Sequence, residues 1–300
     1  MNNSWQIIGN LKPQELTESR LQLHYAVQFI AVTGSALAAA LPDYSHTSLE
    51  WNPALKMFTG ALISVQTPFR VALDPIGLTL IVIDRQNNII AGFPLHQKTM
   101  TEGLNWLKEQ ISKLGANTEE IFFPSYPQDD FPDYAVAHGA AFDASQQLPR
   151  QELTNYYANT NQILQEIIAT NEETSSIHIW PHHFDIASLI LLPGTKNDEP
   201  MSIGIGLSPG DKSYNEPYWY VSPYPYPETE NLPSLDSNGF WHTQHWVGAV
   251  LMASQLAIPK KDDTDIKVAE IQKQQVKTFL NSTLKLSKVL LNTGSITRSK

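Results

Sequence analysis

Cysteine is absent from the 300-residue chain. The protein therefore has no disulfide bond, no thiolate nucleophile and no cysteine-ligated zinc or iron–sulfur site, which is compatible with a reducing compartment. The first residues also lack the basic and apolar regions of a secretory signal, so we expect a cytoplasmic protein. The longest apolar stretch, residues 25–41, contains Gln28, Thr33 and Ser35 and is interpreted as a buried helix rather than a membrane span.

Basic side chains are scarce in the middle of the chain. Residues 151–258 contain 12 acidic side chains but only two basic ones, Lys196 and Lys212. Such a region repels phosphate groups, so we expect no binding of nucleic acid. The charge favours a divalent metal, a cationic ligand or a neutral one, unless the acidic loops serve only to keep the protein soluble.

Hydrophobic periodicity divides the chain into three parts. An N-terminal α+β half spans residues 1–149, a C-terminal α+β half spans residues 150–258, and a basic amphipathic segment spans residues 259–300. Each half reads as helix, strands and helix. We therefore predict an α+β fold with two similar helix–antiparallel-sheet–helix halves, which arise either from an internal duplication or from two unrelated units.

The predicted helices are the outer elements of each half and the C-terminal segment. They cover residues 15–41, 101–114, 150–170, 243–256 and 265–293. The predicted strands cover residues 48–51, 57–65, 69–73, 78–83, 89–95, 177–180, 184–192, 201–207 and 218–222. The last of the helices carries an apolar stripe that must be buried, either against the same chain or in a homodimer, so the protein is expected to be a monomer or a homodimer.

One motif of the second half resembles a serine-hydrolase signature. Residues 206–210 read Gly-Leu-Ser-Pro-Gly, which matches the pattern G-x-S-x-G. In that motif the N–H of the residue after the serine forms part of the oxyanion hole. Here that residue is Pro209, which has no N–H, and the residues that follow are poor helix formers. We therefore interpret the glycines as strand-end and turn residues.

Histidines and carboxylates supply a candidate metal site. Strand geometry would place His183 and Asp185 on one face of a strand. His242 and His245, three residues apart at the start of a predicted helix, would share a face as well. If the two elements meet, these four side chains could ligate a divalent metal such as zinc, whereas ordinary hydrogen-bonded histidines are the alternative.

An aromatic strand supplies a candidate ligand site. In the strand period, Tyr218 and Tyr220 face one way while Trp219 faces the other. With Trp180, Asp185 and Trp241, the two tyrosines would line an acidic, aromatic pocket for a small neutral or cationic molecule. Packing in the core is the common alternative for such a strand.

Several segments together resemble an uncharacterised bacterial domain-of-unknown-function family. They are LQLHYAVQFIAVTGSAL, GLTLIVIDRQNNIIAGFPL, MTEGLNWLKEQISKLG, IWPHHFDIASLILLPG and EPYWYVSPYPYP, over roughly residues 16–226. The resemblance implies an α+β organisation and brings no activity. It also implies a Phe-Asp pair at Phe184 and Asp185, with small residues where His182 and His183 stand here. That difference favours Asp185 and the aromatic strand over the histidines as candidate functional residues.

Two functions follow as hypotheses. The first is binding of a small neutral or cationic molecule at Trp180, Asp185, Tyr218, Tyr220 and Trp241. The second is a metal-dependent hydrolase that uses His183, Asp185, His242 and His245. The two hypotheses are distinguished by whether the four side chains of the second set lie within coordination distance of a common centre.

Overall fold

The structure of the protein is a computed structural model that describes residues 5–257 and 264–292. Both helices and antiparallel sheets are present, so the predicted α+β class is confirmed. The described residues form two compact units: the first comprises residues 15–154 and 178–185, and the second comprises residues 5–14, 155–177, 186–257 and 264–292. Of the predicted C-terminal segment, residues 259–263 and 293–300 lie outside the described residues.

The first unit combines three helices with an antiparallel meander. The helices are α1 (Thr17–Ala26), α2 (Gln28–Leu37) and α3 (Met100–Ser112). The strands β1 (Glu50–Asn52), β2 (Met57–Thr59), β3 (Phe69–Asp74), β4 (Thr79–Asp84) and β5 (Ile89–Pro94) pair in sequence order. The helix predicted over residues 15–41 is thus two helices, which meet at Val27.

Local sequence signals explain how several of these elements begin and turn. Thr99 caps α3, because its hydroxyl accepts a hydrogen bond from the Glu102 N–H at 3.2 Å while the Glu102 carboxylate accepts from the Thr99 N–H at 2.9 Å. Asp84 closes the predicted hairpin, since its carboxylate accepts from the backbone N–H groups of Gln86 and Asn88 at 2.8 Å each. These side chains fix the register of β4 and β5 and the start of the helix after them.

A short strand from later in the chain completes the first unit. This strand, β6 (His178–Trp180), lies beside β1, and Leu49 and Ile179 exchange backbone hydrogen bonds of 2.9 and 2.7 Å. The turn that follows β6 therefore belongs to the first unit, although the chain order had assigned it to the predicted C-terminal half.

The second unit packs two helices on an antiparallel sheet. Its strands are β7 (Asp185–Lys196), β8 (Glu199–Ser208), β9 (Tyr218–Tyr224), β10 (Phe240–His242) and β11 (Gly248–Met252), in the spatial order β10-β11-β9-β8-β7. The helices are the later part of α4 (Gln147–Ile168), from residue 155, and α5 (Asp265–Asn292). The first residue of β7, Asp185, is grouped with the first unit.

Trp219 shows which face of this sheet is the core. Its side chain is fully buried, lies 5.8 Å from the Tyr156 ring on α4 and donates an indole N–H to the Thr160 hydroxyl at 3.0 Å. Because side chains alternate along a strand, Tyr218 and Tyr220 lie on the opposite face. The predicted alternation of β9 therefore holds in the structure.

The helix predicted over residues 243–256 is wrong. That segment contains the turn after β10, the strand β11 and a short 3₁₀ helix. The period of a short apolar run, such as residues 247–251, does not distinguish a buried strand from a helix. Gly248 marks the difference: a Cβ atom there would lie 2.4 Å from the Trp246 ring, a close approach that only glycine allows.

The apolar stripe of α5 is buried within a single chain. Val276, Phe279 and Leu280 are fully buried, and Leu284 and Leu291 are at most 4% exposed. On the flank of the helix, Glu166 of α4 pairs with Lys273 at 3.2 Å and with Lys277 at 2.6 Å. Packing on the same chain therefore accounts for the stripe without a homodimer contact.

Two hydroxyl groups on α5 provide a test of this packing. Thr283 and Ser287 are fully buried, and among the described residues their side-chain oxygens have no hydrogen-bond partner. An unsatisfied buried hydroxyl costs about 1–3 kcal/mol. We expect Thr283→Val, which keeps the shape of the side chain, to raise the free energy of unfolding of the second unit by ~1 kcal/mol, and Ser287→Ala to raise it by less.

The measurement is the urea midpoint of each purified variant. Ser282→Ala is the matched control on the same helix, because the Ser282 hydroxyl donates to the Phe279 carbonyl at 3.3 Å and its removal should not stabilise the protein. A Thr283→Val variant that unfolds at a lower urea concentration than the parent would contradict the expectation.

In the part of the chain that the structure describes, no helix is both long enough and apolar enough to cross a membrane.

Candidate functional site

The predicted ligand-binding residues are divided between the two units. Trp180 and Asp185 belong to the first unit, whereas Tyr218, Tyr220 and Trp241 belong to the second. The predicted metal ligands are divided in the same way, with His183 and Asp185 in the first unit and His242 and His245 in the second.

In the second unit, Tyr218 holds a loop in place. Its ring is 4% exposed and its hydroxyl donates to the Asp211 carboxylate at 2.5 Å. The other carboxylate oxygen of Asp211 accepts from the backbone N–H groups of Ser213 and Tyr214 at 2.7 and 3.2 Å. The Tyr220 ring lies 6.3 Å from that of Tyr218 and is half-buried.

Both ring nitrogens of His242 are engaged inside the second unit. The Tyr214 hydroxyl lies 2.7 Å from Nδ1, and Nε2 lies 2.6 Å from the Gln244 carbonyl oxygen. The carbonyl requires a donor, so Nε2 carries the proton and Nδ1 accepts from the tyrosine. Trp246 stacks on the imidazole with 4.4 Å between ring centroids. These contacts leave neither nitrogen open to a metal ion.

The other predicted residues of this unit also have structural surroundings. Trp241 is half-buried and donates its indole N–H to the Pro233 carbonyl at 2.7 Å. His245 is exposed and lies in a turn with a φ of 69°, rather than one turn along a helix from His242. The shared helix face predicted for the two histidines is therefore wrong.

In the first unit, the residues after β6 form a turn instead of continuing as a strand. The Phe184 N–H donates to the Trp180 carbonyl at 2.7 Å, and Phe184 has a φ of 58°. Its fully buried ring packs between His24 and Phe58, at centroid distances of 5.4 and 5.6 Å. The predicted strand alternation of His183 and Asp185 is therefore wrong, because β7 begins only at Asp185.

The turn displays two exposed histidines. The rings of His182 and His183 lie 4.3 Å apart. Trp180 is half-buried and lies 6.2 Å from the His182 ring. Among the described residues, no group of three or more histidine and carboxylate side chains is arranged to hold a metal ion. The hydrolase hypothesis therefore gains no support from its four named ligands.

Sequence reasoning missed the polar pair that anchors this turn. His24 and Gln28 are buried, four residues apart, and both contact the Pro181 carbonyl oxygen, at 2.9 Å from His24 Nε2 and 2.8 Å from Gln28 Nε2. Burial lowers the pKa of His24 to about 3, so the imidazole is neutral at pH 7 and donates from Nε2. The signal in the sequence is a polar pair at helical spacing inside an apolar stretch.

A cavity of about 330 Å³ lies in the first unit beside Gln28. One side is the face of α2, and the other is formed by Thr47 and an extended segment before Tyr126. The residues of α2 that line it are Gln28, Ala31, Val32, Ser35 and Ala36, and those of the segment are Glu120, Phe122, Pro124 and Tyr126. The Phe122 side chain is 64% exposed, and Glu120 is exposed as well.

The walls of the cavity are held in place by close packing. A Cβ atom at Gly34 would lie 2.5 Å from the His46 carbonyl oxygen, so glycine allows the backbone before Thr47 to approach α2 closely. On the other side, the Tyr126 ring lies 4.6 Å from that of Phe131 and 5.5 Å from that of Tyr25. Burial raises the pKa of Tyr126, so its hydroxyl stays protonated.

A wider depression of about 520 Å³ lies along α5 in the second unit. Its polar side chains already serve the fold: the Gln275 amide donates to the Gln255 carbonyl at 2.8 Å and accepts from the Ala257 N–H at 2.9 Å. Gln274 donates to the Thr278 hydroxyl at 3.0 Å. We therefore regard the cavity of the first unit as the candidate site.

Comparisons with protein-family models, with curated proteins and with solved structures found no match. The resemblance to a domain-of-unknown-function family therefore stays a prediction.

Proposed function

We propose that the protein binds a small neutral or cationic molecule in the cavity of the first unit. The observation that carries the proposal is the composition of this 330 Å³ space, in which the apolar face of α2 meets a buried amide, a tyrosine hydroxyl and one carboxylate. The proposal retains the ligand class expected from the sequence but assigns its recognition to Glu120, Phe122 and Tyr126 instead of Trp180, Asp185, Tyr218, Tyr220 and Trp241.

Size and composition both support this function. Cavities that hold small molecules typically have volumes of about 300–1,000 Å³ and are mainly apolar with a few placed polar groups. Ala31 and Val32 give a floor that is at most 9% exposed, and Gln28 is 5% exposed at the polar end. A molecule that covers this floor would remove apolar surface from water, which is favourable by about 25 cal/mol per Å².

A fragment screen by thermal shift tests the proposal. Binding to the native state raises apparent stability, by about 2.7 kcal/mol at a ligand concentration of 100 times Kd. We expect at least one neutral or cationic fragment to raise the Tm of the parent protein and to lose this effect in Ser35→Phe, because the larger side chain fills the cavity from α2.

The matched control is Ala40→Phe, which adds the same side chain at an exposed position outside the cavity. It should keep the fragment's effect, and isothermal titration calorimetry should show the same order of affinities. If every stabilising fragment acts equally on the parent and on Ser35→Phe, the proposed site is wrong.

The proposal includes a cytoplasmic location and an internal duplication. The absence of cysteine is compatible with a reducing compartment. The duplication is supported by the order of elements, since each unit combines helices with an antiparallel sheet in which most consecutive strands are neighbours.

A further inference from the structure

The buried amide at the end of the cavity has an orientation set by its neighbours. Gln28 Nε2 lies 2.9 Å from the His24 carbonyl oxygen and 2.8 Å from the Pro181 carbonyl oxygen. Both are acceptors, so the NH₂ group donates its two hydrogens to them. Gln28 Oε1 accepts from the Tyr126 hydroxyl at 3.0 Å. A carbonyl oxygen has two lone pairs, so Gln28 keeps one acceptor position and no donor.

Two hydroxyl groups in the lining, those of Tyr126 and Thr47, have also used their hydrogens. Each hydroxyl has one hydrogen, which Tyr126 donates to Gln28 and Thr47 donates to the Tyr44 carbonyl at 2.9 Å. Both hydroxyl oxygens can therefore only accept further hydrogen bonds, through their lone pairs. Glu120 adds an ionised carboxylate, which only accepts. Among the described residues that line the cavity, Ser35 alone has a side-chain hydrogen that remains to be donated.

From this excess of acceptors we infer that the ligand is an organic cation, a primary amine on an apolar body. The inference rests on the proposed function and names its ligand class. An ammonium group brings three N–H donors and a positive charge, and the lining offers acceptors at Gln28, Tyr126, Thr47 and the Glu120 carboxylate. A carboxylate or phosphate would bring only acceptors and a negative charge, so it would meet lone pairs without a bonding hydrogen. The apolar body lies on Ala31 and Val32.

Three probes that share one apolar body and differ in their polar group measure the contribution of that group to the affinity. They are 2-phenylethylamine, 2-phenylethanol and phenylacetate, titrated into the full-length protein at pH 7 by calorimetry. We expect the amine to bind about tenfold more tightly than the alcohol, a difference of one charge-assisted hydrogen bond, and phenylacetate to show no binding. Ser35→Phe should abolish binding of the amine, and Ala40→Phe should leave it unchanged.

A charge variant on the rim gives an independent test. Glu120→Gln removes the charge at an exposed position and should weaken the amine about threefold without affecting the alcohol, as is typical of exposed ion pairs. Glu119→Gln, also exposed but outside the cavity, is the control and should leave both affinities unchanged.

The outcomes separate the inference from the proposed function. If the alcohol or phenylacetate binds as tightly as the amine, or if the fragments that Ser35→Phe blocks are all uncharged or anionic, the amine assignment is overturned while ligand binding in the cavity stands. If no fragment is blocked by Ser35→Phe, the proposed function fails and the amine assignment fails with it.

Discussion

Replacing Arg150 by methionine should lower the free energy of unfolding of the first unit by about 3–5 kcal/mol. The guanidinium is 2% exposed and donates to three backbone carbonyls, those of Ile76 at 3.0 Å, Gln146 at 2.7 Å and Ala144 at 2.8 Å. These bonds fasten the segment before α4 to the turn between β3 and β4. Methionine keeps the apolar stem but leaves three carbonyl groups without their donor.

Urea unfolding followed by far-UV circular dichroism measures the effect. Arg150→Lys should recover only part of the loss, because a point-like ammonium does not reproduce the planar fork of donors. Arg85→Met, at an exposed turn position, is the control and should stay within about 0.5 kcal/mol of the parent. An Arg150→Met variant as stable as Arg85→Met would show that the three bonds contribute nothing.

Acidification should destabilise the first unit through His24. Burial lowers the pKa of His24 from 6.5 to about 3, against the opposing hydrogen bond to Pro181 and with smaller contributions from Arg20 and the two exposed histidines. Below pH 6.5, His24 is therefore protonated in the unfolded chain, whereas in the folded chain it is protonated only below about pH 3. Stability is complete above pH 6.5 and falls by up to about 1.4 kcal/mol per pH unit, for a total of about 4–5 kcal/mol.

The urea midpoint measured from pH 7 to pH 4 tests this slope. His24→Gln removes the titrating group and retains an amide that can donate to Pro181, so its stability should depend less on pH than that of the parent. His138→Gln, at a side chain that is 59% exposed, should keep the slope of the parent. Equal slopes for His24→Gln and the parent would contradict the assignment, because burial of His24 is its stated cause.

The long amphipathic elements are predictable from the sequence because their period reports burial directly. The helix of residues 265–293 appears as Asp265–Asn292, and the hairpin around Asp84 forms as its turn chemistry requires. The segment of residues 243–256 fails because its apolar run fits a buried strand as well as a helix. Only pairing with β9 and β10 decides between the two, and β9 lies well before this segment, since Ala249 pairs with Val221.

The candidate site is less predictable for a different reason. The sequence identifies residues that can bind a ligand. Whether their hydrogen-bond donors and acceptors remain available depends on which other atoms of the fold contact them. His242 and Tyr218 have suitable groups that are already occupied by Tyr214, Gln244 and Asp211. Gln28 stands out in the sequence only as a polar residue in an apolar stretch, and its remaining lone pair depends on bonds to residues 98 and 153 positions away.

The Pro181 carbonyl oxygen, shared by His24 and Gln28, limits which side chains position 28 can hold. Glutamate at position 28 would set a carboxylate oxygen against that carbonyl, asparagine would be one methylene too short to span the same partners, and leucine would leave the oxygen with one donor fewer. A substitution at Gln28 therefore changes the polar end of the cavity and the hydrogen bonding of the turn at residues 180–184 at the same time.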